Sequence, residues 1–403
     1  MLRDKLNRLP SQIVRPQPSS VNSRKDDRYL RAAEALHGEI ISSSGGTFLE
    51  IVTDFEATYS HGRSTFYELS QSPDLRKGYF LNAPGNEMIH REKLLFFDME
   101  TTGLSGGSGT VPFLIGCGSM VNERFQVRQY FLPDYPDEAA MLEAVRAEIS
   151  DETIIVSYNG KSFDLPILVD RLILHRIERN LKIADHIDLL HPVRKLYKRR
   201  LKDCTLGNVE RSILEFFRYD DIPGYLVPAV YFNWLATQET GELARVVRHN
   251  LNDIVSLYFI LYHIADILEN PSARIKEPED VYSLARLLEK KGDHEGLCRL
   301  IEDFHPLLWD EGRHDILFFH SLSYKRSGVF PRAVEIWEKI SGTDSPEAFF
   351  AGIELAKFYE HRARDISRAL QHAVQAEKRC PRHRGLTLEL EKRIGRLKRK
   401  LSS

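Results

Sequence analysis

The sequence is poor in cysteine and in uninterrupted apolar stretches. Its 403 residues include four cysteines, with no Cys-x-x-Cys pair: Cys117, Cys204, Cys298 and Cys380. Their wide spacing argues against a zinc knuckle and a disulfide scaffold, and it fits a protein of the reducing cytoplasm. No apolar run reaches the length of a membrane span, and the N-terminus has no apolar signal core. A membrane partner is therefore not expected.

The chain also has no excess of charge of either sign. It carries 56 Lys and Arg against 58 Asp and Glu, which gives a formal net charge of −2. Binding to nucleic acid would therefore depend on local basic patches and not on a global excess. The length is sufficient for two or three domains.

The order of predicted elements divides the chain into segments. Residues 1–25 are polar, with Pro and Ser clusters, and are expected to be mobile. Residues 26–91 form an extension without an assigned role, although residues 46–56 resemble a strand. Residues 92–272 begin with three apolar strand patterns that suit a meander, and then alternate between strands and helices. This order predicts an α/β fold, with helices packed on the faces of a sheet.

Residues 278–400 have helical patterns only. Gly292 and Gly328 lie 36 residues apart, and two sets of apolar residues recur at the same interval. These sets are Leu297, Ala333 and Ala369, and Ile301, Trp337 and Ala373. The pattern predicts a helix–turn–helix repeat that resembles a tetratricopeptide repeat. The alternative is a generic helical bundle with a chance period.

Two acids stand in the first strand pattern, LLFFDMETTGL. Asp98 and Glu100 are two positions apart, so both side chains leave the same face of a strand. Like charges at such a position cost free energy unless a partner neutralises them.

Three other segments place acids where they can meet this pair. Asp164 follows a strand and an Asn-Gly turn, where it is also a favoured helix N-cap. His249 and Asp253 share one face of a long predicted helix, where they also suit a solvated surface pair. Asp188 is either a ligand or the end of a strand. Carboxylates that converge at one sheet edge are stable around cations, and oxygen ligands without cysteine favour Mg²⁺ or Mn²⁺, with two ions for phosphoryl chemistry.

Three segments together resemble a known family. FDMETTGL, YNGKSFDLPIL and RHNLNDIVSL are similar, in this order, to the three motifs of the DEDD (DnaQ-like) exonucleases. The bacterial YprB-like group joins such a domain to tetratricopeptide repeats. The resemblance implies a ribonuclease-H-like mixed sheet flanked by helices over residues 92–272, followed by an all-α tetratricopeptide-like domain.

The resemblance also implies roles for individual residues. The ligands of two Mg²⁺ or Mn²⁺ ions would be Asp98, Glu100, Asp164 and Asp253. His249 would be the general base, since its unperturbed pKa near neutrality suits that role. In the family the base is a Tyr with three residues between it and the last Asp, or a His with four. His249 departs from this pattern because it is a histidine at the tyrosine spacing.

Substrate contacts are expected beside these acids. By resemblance, Thr101, Thr102, Gly103 and Leu104 contact the terminal nucleotide, and Asn159 and Phe163 flank the second motif, where a base can stack on Phe163. The alternative for Asn159 and Phe163 is purely structural, as a turn and a core residue. The basic run HPVRKLYKRRLKD either steers phosphates or forms a solvated helix face.

The expected function is therefore a cytoplasmic, metal-dependent 3′–5′ exonuclease that acts on single-stranded ends of DNA or RNA. The polarity comes from the resemblance alone, because an endonuclease on the same fold would share these residues. A second hypothesis is an adaptor whose repeats bind a protein partner while the nuclease domain is inactive or weakly active. A phosphatase for small molecules ranks lower, since no phosphate-binding glycine fingerprint is present.

Overall fold

The structure is a computed structural model that describes residues 19–70, 75–80, 87–103 and 109–402. Its contacts divide the chain into two compact units. The sheet unit comprises residues 1–190 and 205–265, and the helical unit comprises residues 191–204 and 266–403.

Seven strands of the described chain form one mixed sheet. They are β1 (Glu39–Ser43), β2 (Gly46–Phe55), β3 (Leu94–Thr101), β4 (Pro112–Val121), β5 (Arg124–Phe131), β6 (Ile154–Ser157) and β7 (Asp185–Asp188). Two short two-stranded ribbons, Ser60–His61 with Ser64–Thr65 and Leu75–Arg76 with Met88–Ile89, accompany the sheet.

The strand order in the sheet is β1-β2-β5-β4-β3-β6-β7. Strands β3, β4 and β5 form the expected antiparallel meander, whereas β3, β6 and β7 run parallel to one another. The carboxyl ends of these three parallel strands therefore meet at one edge of the sheet, where open α/β sheets bind ligands. The α/β fold with a mixed sheet is confirmed.

The N-terminal extension belongs to this sheet. Strand β2 pairs with β5, and β1 pairs with β2, both antiparallel. The expected strand at 46–56 is therefore present, and it widens the sheet at the side away from β6 and β7. Within the predicted mobile segment, residues 19–25 belong to helix α1, and residues 1–18 lie outside the described residues.

Helices of at least two turns in the described chain are numbered in chain order. Up to residue 269 they are α1 (Ser19–Leu36), α2 (Glu138–Ala147), α3 (Asp164–Leu174), α4 (Leu190–Tyr197), α5 (Val227–Thr237) and α6 (Leu243–Glu269). The later ones are α7 (Pro278–Lys291), α8 (His294–Asp310), α9 (His314–Arg326), α10 (Phe330–Ser341), α11 (Glu347–Phe358), α12 (Ile366–Glu377) and α13 (Arg384–Ser402). Four shorter α-helical turns are Phe66–Ser70, Lys77–Phe80, Leu206–Val209 and Pro271–Arg274.

Helix α6 packs directly on strand β4, because two glycines let it approach. A Cβ atom on Gly116 would lie 2.4 Å from Asn250 Oδ1, and one on Gly118 would lie 2.6 Å from Ile254 Cγ2. Only glycine leaves space for this helix at both positions. The close approach sets the height of α6 above the sheet.

Helix α6 is also long and apolar enough to cross a membrane by length and composition. Charged residues interrupt its sequence, so it contains no uninterrupted apolar run of that length. In the structure 78% of its most apolar window is buried inside the protein. Its apolar residues therefore serve as the core under the sheet.

The helical unit has a structural period of 36 residues. Helices α8, α10 and α12 begin 36 residues apart, at His294, Phe330 and Ile366. The recurring positions predicted from the sequence, Leu297, Ala333 and Ala369, are buried three residues after each start. Each helix from α7 to α13 packs against the next one along the chain. The unit is therefore a succession of helical hairpins.

Candidate metal centre

Strand β3 places the first two acids at the centre of the sheet. Asp98 pairs with Gly116 of β4, and Glu100 pairs with Leu114. Both acids are partly buried, whereas Met99 between them is buried on the opposite face. The alternation of a strand therefore directs both carboxylates to the face on which α6 lies.

Asp164 is the first residue of helix α3, directly beyond the end of β6. The residue at the N-cap position is Phe163, and no side chain caps this helix end. The alternative interpretation of Asp164 as an N-cap is therefore wrong. A Cβ atom on Gly160 would lie 2.6 Å from Asp164 Oδ2, so a glycine is needed where the loop passes this carboxylate.

His249 and Asp253 extend from α6 toward the sheet. Asp253 is buried and His249 is partly buried. Their nearest atoms, His249 Nε2 and Asp253 Oδ2, are 3.7 Å apart, and His249 Nε2 is 3.9 Å from Glu100 Oε1. The alternative of a solvated surface pair is therefore wrong for these two side chains.

The four acids named by the motifs lie close enough to perturb one another. Burial, followed by the carboxylates of Asp253, Asp164 and Glu100, raises the pKa of Asp98 well above its ordinary value. Burial and the Asp253 carboxylate raise the pKa of Glu100 to about 7. Burial, with the carboxylates of Asp188 and Asp253, raises the pKa of Asp164 to about 7. Such shifts mark carboxylates that lack enough positive charge.

Among the described residues, Glu100, His249 and Asp253 each offer one ligand atom, and these atoms lie within 4.8 Å of one another. A single cation can therefore contact all three side chains. The two carboxylates, without a thiolate, suit Mg²⁺ or Mn²⁺, whereas an imidazole ligand is more typical of zinc or iron. The carboxylates present thus fit the divalent ions that the resemblance of the motifs implies.

A hydrogen-bonded chain that the sequence did not reveal holds Asp98 in place. Asn250 Nδ2 donates to Asp98 Oδ2 at 2.9 Å, and Gln129 Nε2 donates to Asn250 Oδ1 at 2.8 Å. The same Gln129 nitrogen donates to the carbonyl of Val247 at 2.8 Å. Strand β5 and helix α6 therefore fix the Asp98 carboxylate jointly. In the sequence, these contacts could have been suspected only from polar residues at positions where the strand and helix patterns predict buried side chains.

Arg218 was also missed, although it lies within the acid cluster. Its guanidinium donates to Asp253 Oδ1 and Glu210 Oε1 through Nη2, and to Glu210 Oε2 through Nε at 2.8 Å. Nη1 reaches Asp221 Oδ2 at 3.3 Å. Arg218 is therefore a nearly buried cation that connects three carboxylates, a geometry for which the planar guanidinium is suited.

Asp221 orients the histidine. His249 Nδ1 lies 2.8 Å from Asp221 Oδ1, which leaves Nε2 directed at Glu100 and Asp253. Burial lowers the pKa of His249, but the hydrogen bond to Asp221 and the carboxylates of Asp253 and Glu100 outweigh it and raise the pKa to about 9. In the metal-free protein the imidazole is therefore a cation that partly neutralises the acids.

Asp188 supports the loop of the second motif. Its carboxylate accepts backbone N–H groups from Asn159 at 2.8 Å, Leu190 at 3.1 Å and Lys161 at 3.3 Å. Asn159 has a φ of 67°, a left-handed conformation that asparagine tolerates. Asp188 therefore fixes the loop that leads to Asp164, and Asn159 contributes the turn.

The predicted substrate contacts are only partly available. Thr101 Oγ1 donates to the carbonyl of Gly103 at 2.8 Å, and Thr102 Oγ1 accepts the N–H of Val111 at 3.0 Å. Both hydroxyls thus shape the loop after β3, while Leu104 lies outside the described residues. Phe163 is 48% exposed, so the alternative in which it fills the core is wrong.

The basic run belongs mainly to the helical unit. Arg200 donates to Asp280 through Nε and Nη2 at 2.8 to 3.1 Å. Arg199 pairs with Asp315 at 3.2 Å and covers the Tyr282 ring. These two arginines therefore stabilise the helical unit, and the expectation of phosphate steering rests on the rest of the run.

Comparison with known proteins agrees with this geometry. The family model of the RNase_H superfamily matches residues 95–265, the segment that contains all of the acids of the cluster. The chain is also 36% identical over 364 residues to the uncharacterized protein YprB of Bacillus subtilis (strain 168). The match covers 87% of this chain and 85% of YprB.

The chain belongs to the YprB family. The match to YprB spans both units, so the sheet unit and the helical unit occur together in this family. The RNase H-like domain indicates a hydrolase of the nuclease type that binds nucleic acid. Since YprB itself is uncharacterized, the reaction must be argued from the site.

Proposed function

We propose that this protein is a 3′–5′ exonuclease that hydrolyses phosphodiester bonds at single-stranded ends with two Mg²⁺ or Mn²⁺ ions. The ligands are Asp98, Glu100, Asp164 and Asp253, as in DEDD-type enzymes. The observation that carries the proposal is the charge balance of the site.

Besides Asp188, whose carboxylate accepts three backbone N–H groups, six acids and two cations lie in the cluster. Arg218 donates to both Glu210 and Asp253, and His249 pairs with Asp221. Two cations against six ionised carboxylates leave a charge of about −4, which matches two divalent cations, because like carboxylates in contact cannot all ionise without compensation.

Bound divalent ions would stabilise the attacking and leaving oxygens of an in-line displacement at phosphorus. The protein supplies the proton acceptor, since Asp221 holds His249 so that Nε2 faces the cluster. Positive charge at the carboxylates would offset their contribution to the raised pKa of His249, whereas the hydrogen bond to Asp221 would remain. His249 Nε2 would then take one proton from the attacking water.

The loops around the cluster would position the strand end. Thr101 is the last residue of β3, Thr102 and Gly103 follow it directly, and Phe163 presents an exposed ring beside Asp164. A ring in that position can stack on a terminal base while the phosphate lies over the acids.

The test is a labelling experiment with the full-length protein. Single-stranded DNA and RNA, labelled at either the 5′ or the 3′ end, are incubated with Mg²⁺, with Mn²⁺ or with a chelator. We expect a ladder that shortens from the 3′ end only when metal is present. Discrete internal fragments would identify an endonuclease. Metal-independent digestion, or none with either metal, would contradict the proposal.

A second role is favoured by the 36-residue period of helices α8, α10 and α12. We propose that these hairpins are tetratricopeptide-like repeats that bind a protein partner. Affinity capture with the full-length chain, compared with a variant altered on exposed residues of α9 and α11, measures this. Identical captured proteins would contradict it.

No disulfide joins the four cysteines, and this fits the cytoplasmic location that we propose.

A further inference from the structure

Three large aromatic side chains near the acid cluster are unusually exposed. Phe217, Tyr219 and Tyr225 are 55%, 86% and 72% exposed. They are called the aromatic rim below. Exposed aromatic rings that are clustered in a short segment mark a surface that binds something.

The rim is tied to the metal centre by the alternation of its backbone. Phe216 stacks on the buried ring of His61 at a centroid distance of 3.7 Å, and Arg218 reaches Asp253 and Glu210. Inward residues therefore alternate with the outward Phe217 and Tyr219, as expected for extended chain. Each outward ring lies next in sequence to a side chain that contacts a proposed metal ligand.

The segment is held firmly against helix α6. Arg245 Nη2 donates to the carbonyl of Asp221 at 3.0 Å. Arg248 Nη2 donates to the carbonyl and the carboxylate of Asp220 at 2.8 and 3.1 Å. Asp220 has a φ of 53°, which turns the chain after Tyr219. The rings are therefore presented by a fixed backbone, and less conformational entropy is lost when they bind a ligand.

The ligand must suit a site of negative charge. The acid cluster repels the phosphates of a nucleic acid unless cations are bound, so electrostatic attraction by this region alone is weak. Stacking of bases on aromatic rings does not depend on charge and tolerates any base sequence. Arg248, which is half exposed beside the rim, adds a cation within reach of a phosphate.

We propose that the aromatic rim is a stacking surface for unpaired bases of the strand that the metal centre cleaves. This inference rests on the proposed nuclease function and specifies which residues hold the bases of its single-stranded substrate. Phe217 and Tyr219 bind the bases of nucleotides adjacent to the reacting phosphate, and Tyr225 extends the surface. Bases within a duplex are stacked on each other and cannot use it.

The experiment measures binding separately from cleavage. The full-length chain with Asp98→Asn is titrated with a fluorescent oligothymidine and with an abasic oligonucleotide of the same length, and anisotropy gives both Kd values. Replacing both rings, Phe217→Ala with Tyr219→Ala, should weaken binding of the oligothymidine by about tenfold or more for each ring. Binding of the abasic strand should not change, because it has phosphates but no bases.

Two further variants secure the interpretation. Tyr67→Ala removes a comparably exposed ring, 60% exposed in the Phe66–Ser70 turn, and should leave both Kd values unchanged. Phe217→Trp with Tyr219→Phe keeps aromatic faces and should retain binding, which excludes a folding defect as the cause.

The outcomes are distinct. Equal weakening of both oligonucleotides by the alanine variant would overturn base stacking, and so would unchanged binding of the oligothymidine. A partner protein that binds the wild-type chain but not the alanine variant, with nucleic-acid binding intact, would assign the rim to protein recognition instead. If no version of the chain binds either strand, with metal or without it, the proposed function fails together with the rim.

Discussion

Glu100 of the sheet unit and Glu360 of the helical unit are both shielded from solvent, but Glu100 is surrounded mainly by acids and Glu360 by cations. Glu360 accepts hydrogen bonds from Arg393, Arg396 and Lys400 at 2.8 to 2.9 Å. Although burial raises the pKa of Glu360, these cations outweigh it and lower the pKa to about 2. Burial and the Asp253 carboxylate instead raise the pKa of Glu100 to about 7.

The difference separates structural acids from acids that need a ligand. Glu360 has its own cations, as Glu354 has Lys325 and Lys357, so these two carboxylates are neutralised within the chain. The sheet unit gathers more carboxylates than its cations can neutralise. An excess of one charge is tolerated in a folded protein where a bound ion removes it, and such excess identifies functional sites.

The largest expected effect comes from removing one acid from each unit. Asp98→Asn should reduce hydrolysis about 10³-fold or more, because a metal ligand is lost. It should also raise the urea midpoint of the metal-free protein, because repulsion is relieved. Glu360→Gln should lower the urea midpoint, because hydrogen bonds to a charged group are lost, and the corresponding loss in unfolding free energy is about 2 kcal/mol. The activity of this variant should be unchanged. A lower midpoint for Asp98→Asn would remove the distinction between the units.

The next effect concerns Arg218, which enters the acid cluster. Arg218→Gln should weaken Mn²⁺ binding, measured by calorimetry, by about 10- to 100-fold, since groups that orient metal ligands contribute on this scale. Arg211→Gln, at an exposed position of the sheet unit, is the matched control. Tighter Mn²⁺ binding by Arg218→Gln would mean that Arg218 competes with the metal for Asp253 rather than holding it in position.

A smaller effect is expected at the contact between β4 and α6. Gly116→Ala should lower the unfolding free energy by about 2 kcal/mol, since its Cβ atom would meet Asn250 and Ile254. Because Asn250 holds Asp98, activity should fall as well. Gly241→Ala, where no atom lies within 4 Å of the added Cβ, should change neither quantity. Full activity of Gly116→Ala would separate the packing of α6 from the site.

The last effect is a difference in pH dependence, which is spread over several pH units. With chelator present, Glu100 and Asp164 have pKa values of about 7 in the folded state. Above about pH 4.5 they therefore hold protons that the unfolded state has lost. Stability should therefore fall as the pH rises from 4.5 to 7, by at most about 1.4 kcal/mol per pH unit for each proton. Mn²⁺ should abolish this slope.

Glu360 should act on the other side of this range. Its folded pKa of about 2 lies below its unfolded value, so its contribution is complete above about pH 4.5 and is lost as the pH falls toward 2. Urea unfolding of Glu360→Gln and Glu100→Gln across pH 2 to 8 measures both limbs. A single limb that both variants flatten would show that the two acids are not independent.

The sequence predicted those features that depend on local spacing. Alternation along β3 put Asp98 and Glu100 on one face, and a separation of four residues put His249 and Asp253 on one side of α6. The 36-residue period predicted where α8, α10 and α12 repeat. Its assignment to the tetratricopeptide class, like the role of each site residue, stays a prediction.

The remaining features depend on contacts between distant segments. Arg218 stands in an irregular stretch without periodicity, so nothing local indicated that its side chain points inward to Asp253. The support of the Asn159 turn by Asp188 depends on a left-handed φ and on the pairing of β6 with β7. The pairing of β2 with β5 likewise joins segments about 75 residues apart. The side-chain pattern of a strand does not indicate with which distant strand it pairs.

The order of elements along the chain has a consequence for synthesis. All seven strands of the sheet end by Asp188, and the apolar helix α6 begins only at Leu243. When α6 leaves the ribosome, the surface that covers it, including Gly116 and Gly118, has already been made. A circular permutant that places α6 ahead of the strands would expose a long apolar helix without its partner, and we expect such a chain to aggregate while it is being translated.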